Sequence, residues 1–115
     1  MLRLYKMSNE EKKEMNFSIQ DNYYSFKTER ETLGFAKINV LEKIDIYIFI
    51  LENKRGNGYG NKLFYQVLET LKEEKVTSFE LIFPLQNIIM QRIVEAYGGI
   101  EESRKDNKIK YRITL

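Results

Sequence analysis

The chain has 115 residues, with no cysteine, no histidine, no tryptophan and a single proline, Pro84, a length that suits one domain built on one core. The missing residue types exclude a disulfide framework, a thiol nucleophile, a Ser-His-Asp triad and a His-rich zinc site. The 19 basic and 17 acidic residues give a net charge of +2, spread evenly over the two halves, with no basic stripe of the kind that marks a nucleic-acid binder.

The longest unbroken apolar run, six residues from Ile46 to Leu51, is far short of a membrane span. Residues 1–16 hold no apolar stretch of signal-peptide length, so the cytoplasm is the default compartment. Chemistry is left to carboxylates, tyrosines, lysines, the backbone or a bound cofactor, and no metal is expected.

In chain order, residues 2–7 alternate Leu2 and Leu4 with Arg3 and Lys6 and read as a first strand. Ser8, with Glu11 three positions on, makes a capping-box pattern and predicts a short helix over about residues 9–15. Tyr23 to Lys27 reads as a second strand, the charged stretch 28–31 as its turn, and Leu33 to Val40 as a third strand. In the fourth strand Ile44, Ile46, Ile48 and Ile50 share one face, and Asp45, Tyr47, Phe49 and Leu51 share the other. With apolar residues on both faces, this strand is expected to be central and covered on both sides.

A turn over residues 52–60 holds Gly56, Gly58 and Gly60 and leads into a helix whose apolar stripe is Leu63, Phe64, Val67, Leu68 and Leu71. Phe79 to Phe83 reads as a fifth strand ended by Pro84. A second amphipathic helix from about Gln86 to Tyr97 turns Ile89, Ile93 and Val94 inward and stops at Gly98-Gly99. A closing pair of strands, 100–103 and 109–115, flanks a polar turn. The order β-α-β-β-β-α-β-α-β-β predicts an α+β or α/β fold with a mixed sheet.

The first glycine cluster is the strongest chemical signal. Glycines between a strand and a helix let successive N–H groups converge on an anion, and the helix N-terminus adds partial positive charge. A G-x-G-x-x-G fingerprint fails, because counting from Gly56 and Gly58 its third glycine falls on Asn61. A G-x-x-x-x-G-K-[ST] loop fails at the same residue. What fits is R-x-x-G-x-G, carried by Arg55, Gly56, Asn57, Gly58, Tyr59 and Gly60.

That turn, the apolar strand before it, the helix opening at Gly60 and a later strand–Asn87–helix–glycine unit together resemble the GNAT superfamily of acyl-CoA-dependent N-acyltransferases. The resemblance covers about residues 33–103. It implies an α+β (α/β-like) fold with a mixed, mostly antiparallel central sheet of six to seven strands flanked by helices, its fourth and fifth strands splayed apart, and acetyl-CoA as the co-substrate. It further implies that backbone around Phe49 and Ile50 holds the pantetheine arm and that the amides of Asn57 to Asn61 hold the pyrophosphate. Arg55 then stands at the edge of the turn, and Asn87 approaches the arm from the other side.

The implied reaction is direct attack of an amine on the thioester, which needs neither histidine nor cysteine. Asp45, facing away from the isoleucine row, is the best-placed acid to take the proton, with Glu31, Glu42 and Glu80 as further candidates. Many family members carry a proton-donating tyrosine seven residues after the asparagine. That position is Val94 here, and Tyr97, nearly one turn later, is the substitute; its plain reading is packing at the helix end. Asn87 doubles as an N-cap in the plain reading, and Tyr23, Tyr24 and Phe26 read as sheet packing that can also border an acceptor groove.

Only residues 8–21 lie between the first two strands, where the family usually has two helices. This implies an open acceptor side, or one completed by a second copy in a homodimer. The acceptor, a small-molecule amine or a peptide amine, stays open among polyamine, aminoglycoside, amino acid, protein N-terminus and lysine. The alternative to an enzyme is a catalytically silent acyl-CoA-binding sensor or protein-interaction module of the same fold.

Overall fold

Seven strands and three helices follow one another in the expected order in the computed structural model, which describes residues 1–115 throughout. They are β1 (Arg3–Lys6), α1 (Asn9–Glu14), β2 (Tyr23–Lys27), β3 (Thr32–Asn39), β4 (Asp45–Ile50), α2 (Tyr59–Glu73), β5 (Ser78–Pro84), α3 (Ile88–Ala96), β6 (Ile100–Lys105) and β7 (Lys108–Thr114). A single 3-10 turn, Glu52–Lys54, precedes α2. The strands form two antiparallel sheets rather than one, in the orders β1-β2-β3-β4 and β5-β7-β6. The chain divides into two compact units, Met1–Thr70 and Leu71–Leu115, at a point inside α2. No helix is long and apolar enough to cross a membrane.

In the first unit, α1 starts on the capping box read from the sequence. Ser8 accepts from the Glu11 N–H, and the Glu11 carboxylate accepts from the Ser8 N–H, which holds its pKa below the usual carboxylate range. The helix ends with Asn16 in the left-handed region (φ 60°). There the Phe17 N–H reaches back to the Lys12 carbonyl and the Asn16 N–H to that of Lys13, a Schellman closure that reverses the chain toward β2.

The sheet register alternates. Ile38 N–H donates to Asn22, whereas Leu51 N–H donates to Leu33. Even-numbered residues of β3 therefore bond to β2 and odd-numbered ones to β4. Phe26, Ala36 and Ile38 are buried on one face, and Phe35, Lys37, Tyr47 and Phe49 stand on the other. Gly34 lies opposite Ile50. A β-carbon there would strike the Phe49 carbonyl oxygen and sit 3.1 Å from the Ile50 Cα, so only glycine admits this approach.

The fourth strand is an edge of its sheet, not a central strand. Tyr47 is 57% exposed and Asp45 is exposed as well. Alternation reports the character of the two faces; it says nothing about whether a strand has a neighbour on each flank, and tyrosine tolerates a wet face.

In the second unit, β5 and β6 pair on either side of β7. The β6–β7 turn is tight: Lys105 faces Lys108, and Asp106 and Asn107 both take positive φ (53° and 61°), as a two-residue primed hairpin requires. Asn87 caps α3 by accepting from the Met90 N–H at 3.1 Å. At the far end the two glycines serve separate needs. Gly98 supplies φ +86° for a Schellman closure in which the Gly99 N–H reaches Val94 and the Gly98 N–H reaches Glu95. A β-carbon on Gly99 would run into the Val94 side chain and carbonyl.

Ile93 and Val94 are buried as expected, but Ile89 is 73% exposed. It lies in the first turn of α3, a full turn ahead of Ile93, where the buried stripe has run out. The core of this sheet includes Tyr111, whose ring stacks on Phe83 (5.7 Å, 12°) and whose hydroxyl donates to Glu95. Burial first, and then the bond to the Glu95 carboxylate, push the phenol up from 10.0 to about 12.

A native state that holds this proton longer than the unfolded chain keeps the associated stability below pH 10 and loses it as pH rises toward 12. We expect a falling stability across that window in urea unfolding followed at several pH values, and a flatter profile for Tyr111→Phe.

Candidate functional site

Between β4 and α2 the backbone takes the shape the glycine pattern demands. Gly56 and Gly58 both adopt positive φ (82° and 76°), with open space where β-carbons would stand. Tyr59, Gly60 and Asn61 form the first turn of α2, which contains no acidic residue. The N–H groups of a helix's first turn have no partners within the helix and carry its positive end. Asn57 Nδ2 donates to the carbonyls of Lys54 (3.1 Å) and Arg55 (3.4 Å), bracing the loop from inside.

Arg55 is exposed yet held. Its Nε donates to the Ile50 carbonyl at 3.0 Å, and its guanidinium lies over the Phe49 ring at 5.1 Å. Its partners are thus a carbonyl and a ring rather than a carboxylate, which leaves its charge for an incoming anion. Lys54 beside it is matched by Glu31 at 2.7 Å, and that hydrogen bond raises the lysine pKa. Lys62 Nζ sits 5.7 Å over the Tyr59 ring.

The β3–β4 register separates Phe49 from Ile50. Phe49 belongs to a bonded pair with Phe35, so its N–H and C=O point to β3. Ile50, opposite Gly34, turns its backbone groups away from β3, where Arg55 finds the carbonyl. The backbone contact expected of both residues is geometrically open to Ile50; Phe49 contributes its ring.

Beside that ring lies a cavity of about 270 Å³, entirely within the first unit. Phe17, Tyr23, Phe35, Tyr47 and Phe49 supply its aromatic walls, and Met15, Ala36 and Leu51 complete it. Phe17 stacks on Tyr23 (4.2 Å, 16°) and meets Phe35 edge-on at 5.4 Å. The segment that carries Phe17 is fastened by buried Lys12, whose ammonium donates to the carbonyls of Ile19 (3.2 Å) and Asp21 (2.7 Å). Asn39 ties the same segment to β3, donating to the Asp21 carboxylate and accepting from the Asn22 N–H, both at 2.9 Å.

Asp45 stands on the Tyr47–Phe49 face of β4, in an ion pair with Lys37 at 2.8 Å. The hydrogen bond to Asp45 raises the Lys37 pKa, keeping it an ammonium. Of the other acids, Glu31 is committed to Lys54, Glu80 to Arg112 and Lys110, and Glu42 lies in the exposed β3–β4 connection. Asn87 and Tyr97 occupy the two ends of α3 in the second unit, the first as N-cap and the second, half-buried, as C-cap. Val94 is fully buried.

Sequence reasoning placed Tyr47, Phe49 and Leu51 on a common face but did not connect them with Phe35, because cross-strand register is a tertiary fact. Phe17 and Lys12 carried no periodic signal at all. Of the three aromatics read as bordering a groove, Tyr23 lines the cavity, whereas Phe26 is fully buried and Tyr24 points to the opposite face.

Solved structures share this fold. An acetyltransferase from Bacillus subtilis in complex with CoA matches with a TM-score of 0.79 and 12% identity, over 100% of this chain and 99% of that one. The Campylobacter jejuni N-acetyltransferase PseH in complex with acetyl coenzyme A gives 0.79 and 10%, over 100% and 99%. Mutant forms of the spermidine/spermine N-acetyltransferase SpeG from Vibrio cholerae give 0.77 and 11%, over 99% and 95%. No protein-family model and no curated protein matches the chain in sequence. The likeness is one of fold: the chain shares the α+β architecture of these acetyltransferase structures, as the R-x-x-G-x-G resemblance implied.

The Lys12 clasp is the testable part of the cavity's construction. Lys12→Met should leave two carbonyls without their donor and lower stability by about 1–3 kcal/mol in urea unfolding, with faster amide exchange over residues 16–22.

Proposed function

We propose that the chain is an N-acetyltransferase that passes an acetyl group from acetyl-CoA to a primary amine. The observation that carries this reading is the glycine turn: two left-handed glycines leading into a helix start free of acidic residues, with Arg55 fixed at its edge by Ile50 and Phe49. The donor set suits a diphosphate, because it offers backbone N–H groups, the positive end of a helix dipole and one cation without a carboxylate partner. Fold neighbours crystallised with CoA and acetyl coenzyme A support the same ligand, and a neighbour named for spermidine and spermine supports an amine as acceptor.

When bound, acetyl-CoA supplies an acyl group already activated as a thioester. The work left to the chain is to bind, orient and manage one proton. The amides of residues 57–61 and Arg55 hold the charged end. The Ile50 N–H, turned away from β3, is available to an extended arm running beside β4. Asp45 accepts the proton that an ammonium must shed before its nitrogen can attack. Lys37 fixes the Asp45 carboxylate in place at 2.8 Å and repels a second cation, which favours the neutral, nucleophilic form of the amine.

Two measurements address the two halves of this reading. Isothermal titration should find acetyl-CoA binding in the wild type, at least about tenfold weaker in Gly58→Glu, which adds strain at positive φ and an anion to the turn. Unaltered binding in that variant, checked as folded by circular dichroism, would remove the turn from the site. Free-thiol release in the presence of an amine panel should show turnover, and Asp45→Asn should lower kcat about 100-fold without changing acetyl-CoA affinity. Cofactor binding with no turnover on any amine would instead favour a silent acyl-CoA-binding module.

A further inference from the structure

The aromatic cavity is the feature that cofactor binding leaves unused. We infer that it receives the ring of the acceptor, a primary amine carried on a short arm from a single aromatic group. This rests on the acetyltransferase reading of the same unit.

Size is the first argument. About 270 Å³ falls below the roughly 300–1,000 Å³ of pockets that enclose drug-sized ligands, and suits one ring-sized group. Chemistry is the second. Every lining side chain is apolar or aromatic. The rings of Phe17, Tyr23 and Phe35 already meet as one stack and one edge-on contact at 4.2 and 5.4 Å, so a further ring finds both faces and edges at favourable spacing. The walls are also set in advance, since Lys12 and Asn39 hold the segment that carries Phe17, which lowers the ordering cost of binding.

Charge decides between a ring and a polycation. An aromatic box can hold a cation, but here Arg55 already lies on the Phe49 ring. Lys37 stands across from both Tyr23 and Tyr47, and the two acids that act on it are both engaged, Asp45 in the ion pair with Lys37 and Asp21 by the Asn39 amide. With both carboxylates already engaged, neither is left to hold the second cation of a polyamine. A single amine escapes the cost of burial by staying at the mouth, on the strand face where Asp45 lies two positions from Tyr47, about 7 Å by strand rise.

The experiment is titration of the full chain with 2-phenylethylamine and with spermidine, each with and without saturating CoA, on wild type and on Phe17→Ala and Tyr47→Ala. The expected result is phenylethylamine binding at least about tenfold tighter than spermidine, retained when CoA is present, and weakened about tenfold or more in both variants while CoA affinity is unchanged. Spermidine binding as tightly, displacement of phenylethylamine by CoA, affinity indifferent to the variants, or no phenylethylamine binding in either condition would each overturn the inference. Should Phe17→Ala fail to fold, Tyr47→Ala, on an exposed edge strand, decides alone. Cavity-dependent phenylethylamine binding without any acetyl-CoA binding would uphold the ring site and sink the acetyltransferase reading instead.

Discussion

Gly34 lies opposite Ile50, and nothing larger fits there, because a side chain would meet the Phe49 carbonyl. From that contact the β3–β4 register runs without a slip from Gly34/Ile50 to Asn39/Asp45. It turns the Phe49 backbone toward β3 and its ring into the open face, and it turns the Ile50 carbonyl outward to accept from Arg55. It also sets Phe35 against Phe49 and Lys37 against Tyr47. A one-residue slip would exchange the two faces, burying the ion pair and exposing the isoleucine row.

Around this strand the charges are arranged in two ways. Lys54–Glu31 and Lys37–Asp45 are closed pairs, each partly exposed, and such pairs contribute little to stability on their own. Their effect is to remove alternatives: with Glu31 and Asp45 spoken for, Arg55 faces outward with only a carbonyl and a ring for company. An arginine satisfied in this way is oriented without being neutralised, which is what recognition of an anion by a turn and a helix end requires.

Left-handed residues shape the connections, and only some of them are glycine. Gly56, Gly58 and Gly98 take positive φ, but so do Asn16, Lys75, Asp106 and Asn107. Asn16 and Lys75 each end a helix with a backbone closure of the kind that Gly98 makes. The closure after α1 carries most consequence, because it returns the chain so that Phe17 reaches Tyr23 and Phe35. A region with only one short helix between the first two strands thereby still builds a walled cavity, using a loop clasped by Lys12.

The element order, the capping box at Ser8, the cap at Asn87, the paired glycines after α3 and the R-x-x-G-x-G turn were all legible in the sequence. Each depends on residues within a few positions of one another, and local backbone chemistry dictates the outcome. The edge position of β4, the division into two sheets, the exposure of Ile89, the burial of Lys12 and the joining of Phe17, Tyr23, Phe35, Tyr47 and Phe49 into one cavity were decided by tertiary structure alone. These depend on which strands pair and in what register, and on long-range packing whose energy is shared among residues far apart in the chain. A periodic pattern records which faces avoid water; it does not record what comes to cover them.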